Sequence, residues 1–73
     1  MTETKKAAFK RLAGKRTNNL IKDIRLLGNL SNKHNYTYTE EEFKLIFNTV
    51  EQELKLAKSK FLVSLNRGKK FKI

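Results

Sequence analysis

Five polar residues in the first third of the chain recur at alternate steps of four and three, and four of them are cations. They are Arg11, Lys15, Asn18, Lys22 and Arg25. At about 100° per residue they occupy one face of a helix, along which they span about 21 Å. This spacing is typical of cations that contact successive phosphates along a nucleic-acid groove. We therefore predict a nucleic-acid-binding face; the alternatives are a solvated face and a dock for an acidic protein.

A second basic cluster lies in residues 66–73. Its cations are Arg67, Lys69, Lys70 and Lys72, which surround the aromatic Phe71. A flexible basic segment suits a phosphate backbone, and an aromatic ring can stack on a base. The pattern predicts further nucleic-acid contacts, and a solubilising tail is an equal alternative.

Residues 29–38, which lie between the two basic clusters, are rich in amide and aromatic side chains. The candidate interaction residues are Asn29, Asn32, Asn35, Tyr36 and Tyr38. Such groups can contact unpaired bases or form an adaptable protein-binding surface. Alternatively, the amides satisfy the backbone of an irregular loop and the tyrosines pack on a helix end.

Catalytic and metal chemistry lack candidate residues. No nucleophile–base pair and no glycine-rich phosphate loop is recognisable. The chain has no cysteine, and its single histidine, His34, cannot build a zinc site alone. We expect a protein that is not an enzyme and that uses no cofactor or metal.

Two amphipathic helices are expected to position the polar groups. The first covers about residues 3–27, with Gly28 as a left-handed terminator. Its apolar stripe comprises Phe9, Ala13, Leu20, Ile24 and Leu27. The second covers about residues 40–66 and starts with a capping box of Thr39 and Glu42. Its apolar stripe, here called the seam, comprises Phe43, Phe47, Val50, Leu54, Ala57 and Phe61.

The two stripes predict an all-α fold, an antiparallel two-helix hairpin in a single domain of residues 1–73. A connection of residues 28–39 joins the helices, and residues 67–73 form the basic tail. Arg16 lies among apolar positions, and we expect it to form a partly buried pair with Glu53 that sets the register of the helices. An exposed guanidinium at an oligomer or ligand interface is the alternative for Arg16.

A hairpin of this size has a marginal core. It also leaves apolar side chains uncovered on both helices. These are Ile21, Leu26, Ile46, Leu56 and Leu62. A homodimer that forms a four-helix bundle would cover them, so we expect a dimer.

The charge distribution supports a polyanionic partner. The formal net charge is +10, of which residues 1–27 contribute +6 and residues 66–73 contribute +4. Lysine outnumbers arginine by 13 to 4, which favours phosphate contact over base recognition. No signal segment and no membrane-spanning segment is recognisable, so we expect a cytoplasmic protein.

Several short runs of the sequence resemble runs in known proteins. They are FKRLA (9–13), KRTN (15–18), LLGNLSN (26–32) and NYTYTEE (35–41), followed by Ile46-Phe47. Over most of residues 9–61 the chain resembles a set of short helical proteins of bacterial phages, plasmids and integrative elements. The resemblance implies a mobile-element context, without a mechanism, and a shared pattern that includes Arg16, Asn29, Asn32 and Tyr36.

These observations predict a small, basic, non-enzymatic nucleic-acid-binding protein with an accessory or regulatory role. DNA and RNA are both open as ligands. The alternative is a protein-interaction module or inhibitor that docks on an acidic surface of another protein. A structural subunit of a larger assembly is a third interpretation.

Overall fold

The computed structural model of the chain describes residues 2–67, and this range contains two helices and no strand. Helix α1 is Lys5–Asn29 and helix α2 is Glu40–Asn66. The chain divides into two units, Met1–Thr37 around α1 and Tyr38–Ile73 around α2. The all-α class is therefore confirmed for the described residues. The predicted tail cations Lys69, Lys70 and Lys72 lie outside them.

Helix α1 begins after an N-cap threonine. Thr4 has an extended backbone (φ −70°, ψ 159°), and its Oγ1 accepts a hydrogen bond from the Ala7 N–H at 3.0 Å. The side chain thus satisfies one of the N–H groups that the first turn of a helix leaves without an intrahelical acceptor. The helix consequently begins at Lys5, two residues later than the sequence pattern predicts.

The end of α1 differs from the expectation at Gly28. No described glycine has a positive φ, so the left-handed terminator predicted there is wrong. The helix continues through Asn29, and its last carbonyls accept two short-range hydrogen bonds instead. The Leu30 N–H donates to the Leu27 oxygen at 3.1 Å, and the Ser31 N–H donates to the Gly28 oxygen at 3.1 Å. A tightened last turn satisfies these carbonyls without a left-handed residue.

Helix α2 has the stronger start signal, and its predicted capping box is confirmed. The Glu42 N–H donates to Thr39 Oγ1 at 3.0 Å, and the Thr39 N–H donates to Glu42 Oε1 at 2.9 Å. Glu40, Glu41 and Glu42 occupy the first turn, where negative charge is favourable. Phe43 and Phe47 then start the seam as a ring pair with centroids 5.1 Å apart.

No residue of either helix is buried. In α1 the half-buried positions are Ala8, Leu12, Ala13 and Leu27, and every described residue of α2 is exposed. Large apolar side chains are open to solvent in both units: Leu20 is 49% exposed and Leu54 is 60% exposed. Most helix stability in proteins comes from packing of the apolar face, so both stripes require a covering surface.

Within residues 2–67, neither α1 nor α2 combines the length and the apolar character that crossing a bilayer requires.

Candidate nucleic-acid interface

The polar face of α1 is the strongest candidate site. All five of its predicted members lie within α1 and are exposed. At about 100° per residue they fall within an arc of about 80°. Helix α1 contains eight basic residues against one acidic residue, a net charge of +7. The acidic residue, Asp23, lies about 100° from Lys22 around the helix axis, so the face itself contains only cations and Asn18.

Among residues 2–67, Arg11 is the one member of this face that forms an ion pair. Its Nε and Nη2 donate to the two carboxylate oxygens of Glu3 at 3.0 and 2.9 Å. This bidentate arrangement raises the pKa of Arg11 above its ordinary value, because the hydrogen bonds to Glu3 favour the charged guanidinium. The carboxylate of Glu3 offsets the charge of this guanidinium, and a phosphate has to compete with it for Nε and Nη2.

Sequence reasoning missed the role of Glu3, because it placed Glu3 inside the helix. Residues eight positions apart are not neighbours on a helix surface, where contacts form at three and four residues. Glu3 can reach Arg11 because it precedes the cap at Thr4 and is not helical. Threonine is a preferred N-cap residue, so Thr4 could have indicated that the helix begins after residue 4.

The remaining cations of the face have no such neutralising group. Within residues 2–37 of the structure, Lys15, Lys22 and Arg25 take part in no ion pair. They are separated by seven and three residues, so they span about 15 Å of the helix. Three exposed cations on one face form a positive surface suited to a phosphate backbone or to another polyanion.

The connection uses one of its predicted interaction residues for its own backbone. Asn32 Oδ1 accepts the His34 N–H at 2.9 Å, and the Asn32 carbonyl oxygen accepts the N–H groups of Asn35 and Tyr36. For Asn32, this Asx turn matches the alternative in which a loop amide satisfies the backbone. Asn29 is the last residue of α1, Asn35 and Tyr36 are exposed, and Tyr38 is half-buried beside the cap of α2.

The remaining predicted site residues, Arg67, Arg16 and Glu53, do not belong to the polar face of α1. Arg67 follows α2, and its N–H donates to the Ser64 oxygen at 3.4 Å. Arg16 lies on α1 and Glu53 on α2, and their pairing stays a prediction. No group of three metal-ligating side chains occurs within residues 2–67.

Comparisons of the chain with protein-family models, with curated proteins and with solved structures found no match.

Proposed function

We propose that the chain is a small, non-enzymatic nucleic-acid-binding protein that contacts the phosphate backbone through the polar face of α1. The observation that carries the proposal is the group of Lys15, Lys22 and Arg25. These cations are exposed, lie on one helix face and have no acidic neighbour on it. Exposed cations can displace the counterions that are condensed on a phosphate backbone, and the release of those counterions is the source of sequence-independent affinity for nucleic acids.

The proposal includes the predicted fold, because the polar face needs a folded helix. The open apolar stripes of α1 and α2 support an antiparallel hairpin that dimerises into a four-helix bundle. In that arrangement the polar face of α1 points away from its apolar stripe and stays accessible. A dimer would present two such faces to one nucleic acid, which raises the affinity through the effective concentration of the second face.

The protein is proposed to belong to a mobile genetic element. The resemblance of residues 9–61 to short phage, plasmid and integrative-element proteins supports an accessory or regulatory role in the cytoplasm. The excess of lysine over arginine supports binding with little sequence preference. The tail cations would add contacts of the same type.

The test is a titration of labelled duplex and single-stranded DNA and RNA at several salt concentrations. Replacement of both Lys15 and Lys22 by glutamine should flatten the slope of log K against log salt by about 1.8 on duplex DNA. A matched control replaces Lys55 and Lys58 of α2 by glutamine, which removes the same charge from a helix that is not proposed to bind. Circular dichroism should show equal helicity in both variants.

Absence of binding below about 100 μM at physiological salt would overturn the proposal, since that is weaker than ordinary non-specific association. The alternative function would then explain the same face. Affinity capture with and without nuclease distinguishes the two, because a stoichiometric acidic protein retained after nuclease treatment indicates a docking module. In that case the Lys15 and Lys22 variant should lose that protein.

A further inference from the structure

A second heptad stripe runs along α2 beside the seam. Its members follow steps of four, three, four, three and four. They are Ile46, Val50, Glu53, Ala57, Lys60 and Ser64. All of them are exposed within α2, and the two largest apolar members, Ile46 and Val50, are 41% and 38% exposed. We call this set the lateral stripe; it spans about 27 Å of the helix.

The lateral stripe is oriented suitably for a second neighbouring helix. The mean direction of the six seam positions lies about 60° from that of the lateral stripe, and the two sets share Val50 and Ala57 at their common edge. In a square four-helix bundle, the two neighbours of a helix lie roughly 90° apart around it. If α1 covers the seam, as in the proposed hairpin, the four lateral members outside the seam are available for one more helix: Ile46, Glu53, Lys60 and Ser64.

The charges of the lateral stripe indicate which helix packs against it. Glu53 and Lys60 are the only charged members, they have opposite signs, and within α2 neither is in an ion pair. We propose that the lateral stripe binds the lateral stripe of a second copy of the chain in antiparallel orientation. The two-fold axis then lies near residue 55, and Glu53 of each copy reaches Lys60 of the partner about one helical turn away.

The same charges disfavour the parallel arrangement. In a parallel, in-register pair, Glu53 would face Glu53 and Lys60 would face Lys60, and like charges at facing positions are destabilising. The antiparallel arrangement replaces these two repulsive contacts with two attractive ones. The small side chains of Ala57 and Ser64 allow the helices to approach closely, and Lys60 can lay its aliphatic stem along the interface.

The interface deepens the proposed function, since it depends on the hairpin and assigns the contact that joins two hairpins. It is compatible with the predicted pair of Arg16 and Glu53, because a carboxylate has two oxygens and can accept from both cations. The dimer is measured without nucleic acid, so failure of the interface and failure of phosphate binding give separate results.

Cysteine crosslinking tests the orientation directly, because the chain contains no cysteine of its own. Variants with Ile46→Cys and Ser64→Cys are mixed in equal amounts and oxidised mildly, and each is also oxidised alone. The antiparallel interface places residue 46 opposite residue 64 of the partner, so only the mixture should form a disulfide dimer. Lys55→Cys, on the opposite side of α2, is the control and should stay monomeric on a denaturing gel.

Charge reversal tests the register independently. In sedimentation equilibrium, Lys60→Glu should weaken dimerisation roughly tenfold, because both attractive contacts become repulsive. The double variant Glu53→Lys with Lys60→Glu should dimerise more tightly than Lys60→Glu alone, because both contacts between the copies are attractive again; the loss of the predicted Arg16 pair leaves the recovery incomplete. Lys55→Glu makes the same change of charge on the opposite side and should leave the constant unchanged.

Four results would overturn the interface. Three of them are a monomer throughout the micromolar range, a disulfide between two copies of Ile46→Cys alone, and a dimer in which the mixture of cysteine variants forms no crosslink. An unchanged dimerisation constant for Lys60→Glu would indicate a parallel pair or a different surface, and would equally overturn the interface.

Discussion

The ion pair between Glu3 and Arg11 offsets the charge of one of the four cations on the polar face of α1. Both carboxylate oxygens of Glu3 are engaged by the guanidinium, at 2.9 and 3.0 Å. If the pair persists on binding, the polar face contributes three phosphate contacts, and the slope of log K against log salt is about −2.7 on duplex DNA. Any contacts of residues 67–73 add the same increment to every variant.

Replacement of Glu3 by glutamine removes the carboxylate and releases the Arg11 guanidinium. The face then provides four contacts and a slope of about −3.6. Between 50 and 200 mM salt, the affinity contributed by the face should fall about 150-fold for the variant and about 40-fold for the wild type. Fluorescence anisotropy of a labelled duplex at five or more salt concentrations measures both slopes.

Two further variants separate the pair from a general effect of charge. Glu51→Gln adds one unit of positive charge on α2 and should leave the slope unchanged. The double variant Glu3→Gln with Arg11→Gln again has three contacts and should return to the wild-type slope. Equal slopes for the wild type and Glu3→Gln would refute the reasoning, since Arg11 would then contribute equally whether or not Glu3 is present.

The remaining predictions concern stability. Gly14→Ala should raise the free energy of unfolding by about 0.5–1 kcal/mol, because alanine favours a helix interior and a Cβ at this position meets no atom within 4 Å; a lower melting temperature by circular dichroism would contradict this. The double-mutant cycle of Arg16→Met and Glu53→Gln should show a coupling of about 1 kcal/mol in chemical denaturation, and additivity of the two changes would exclude the pair.

The apolar periodicity and the capping box of α2 were sufficient to predict two helices, whereas the end signal at Gly28 was wrong. A heptad pattern and a capping box are local features, since each depends on residues at most four positions apart. For the same reason the sequence predicted the polar face of α1, because residues three, four and seven positions apart on a helix share a side. Charge balance then suggested the class of partner without any knowledge of tertiary structure.

Only the structure showed the features that depend on where each helix begins and ends. Glu3 meets Arg11 only because the chain before Thr4 is not helical, and helical periodicity carries no information about such a contact. Asn32 folds its amide back on the His34 N–H, which its residue type permits but does not require. Gly28 stays helical because a tightened last turn already satisfies the adjacent carbonyls. In each case several local conformations satisfy the same backbone groups, and only the folded chain shows which of them is adopted.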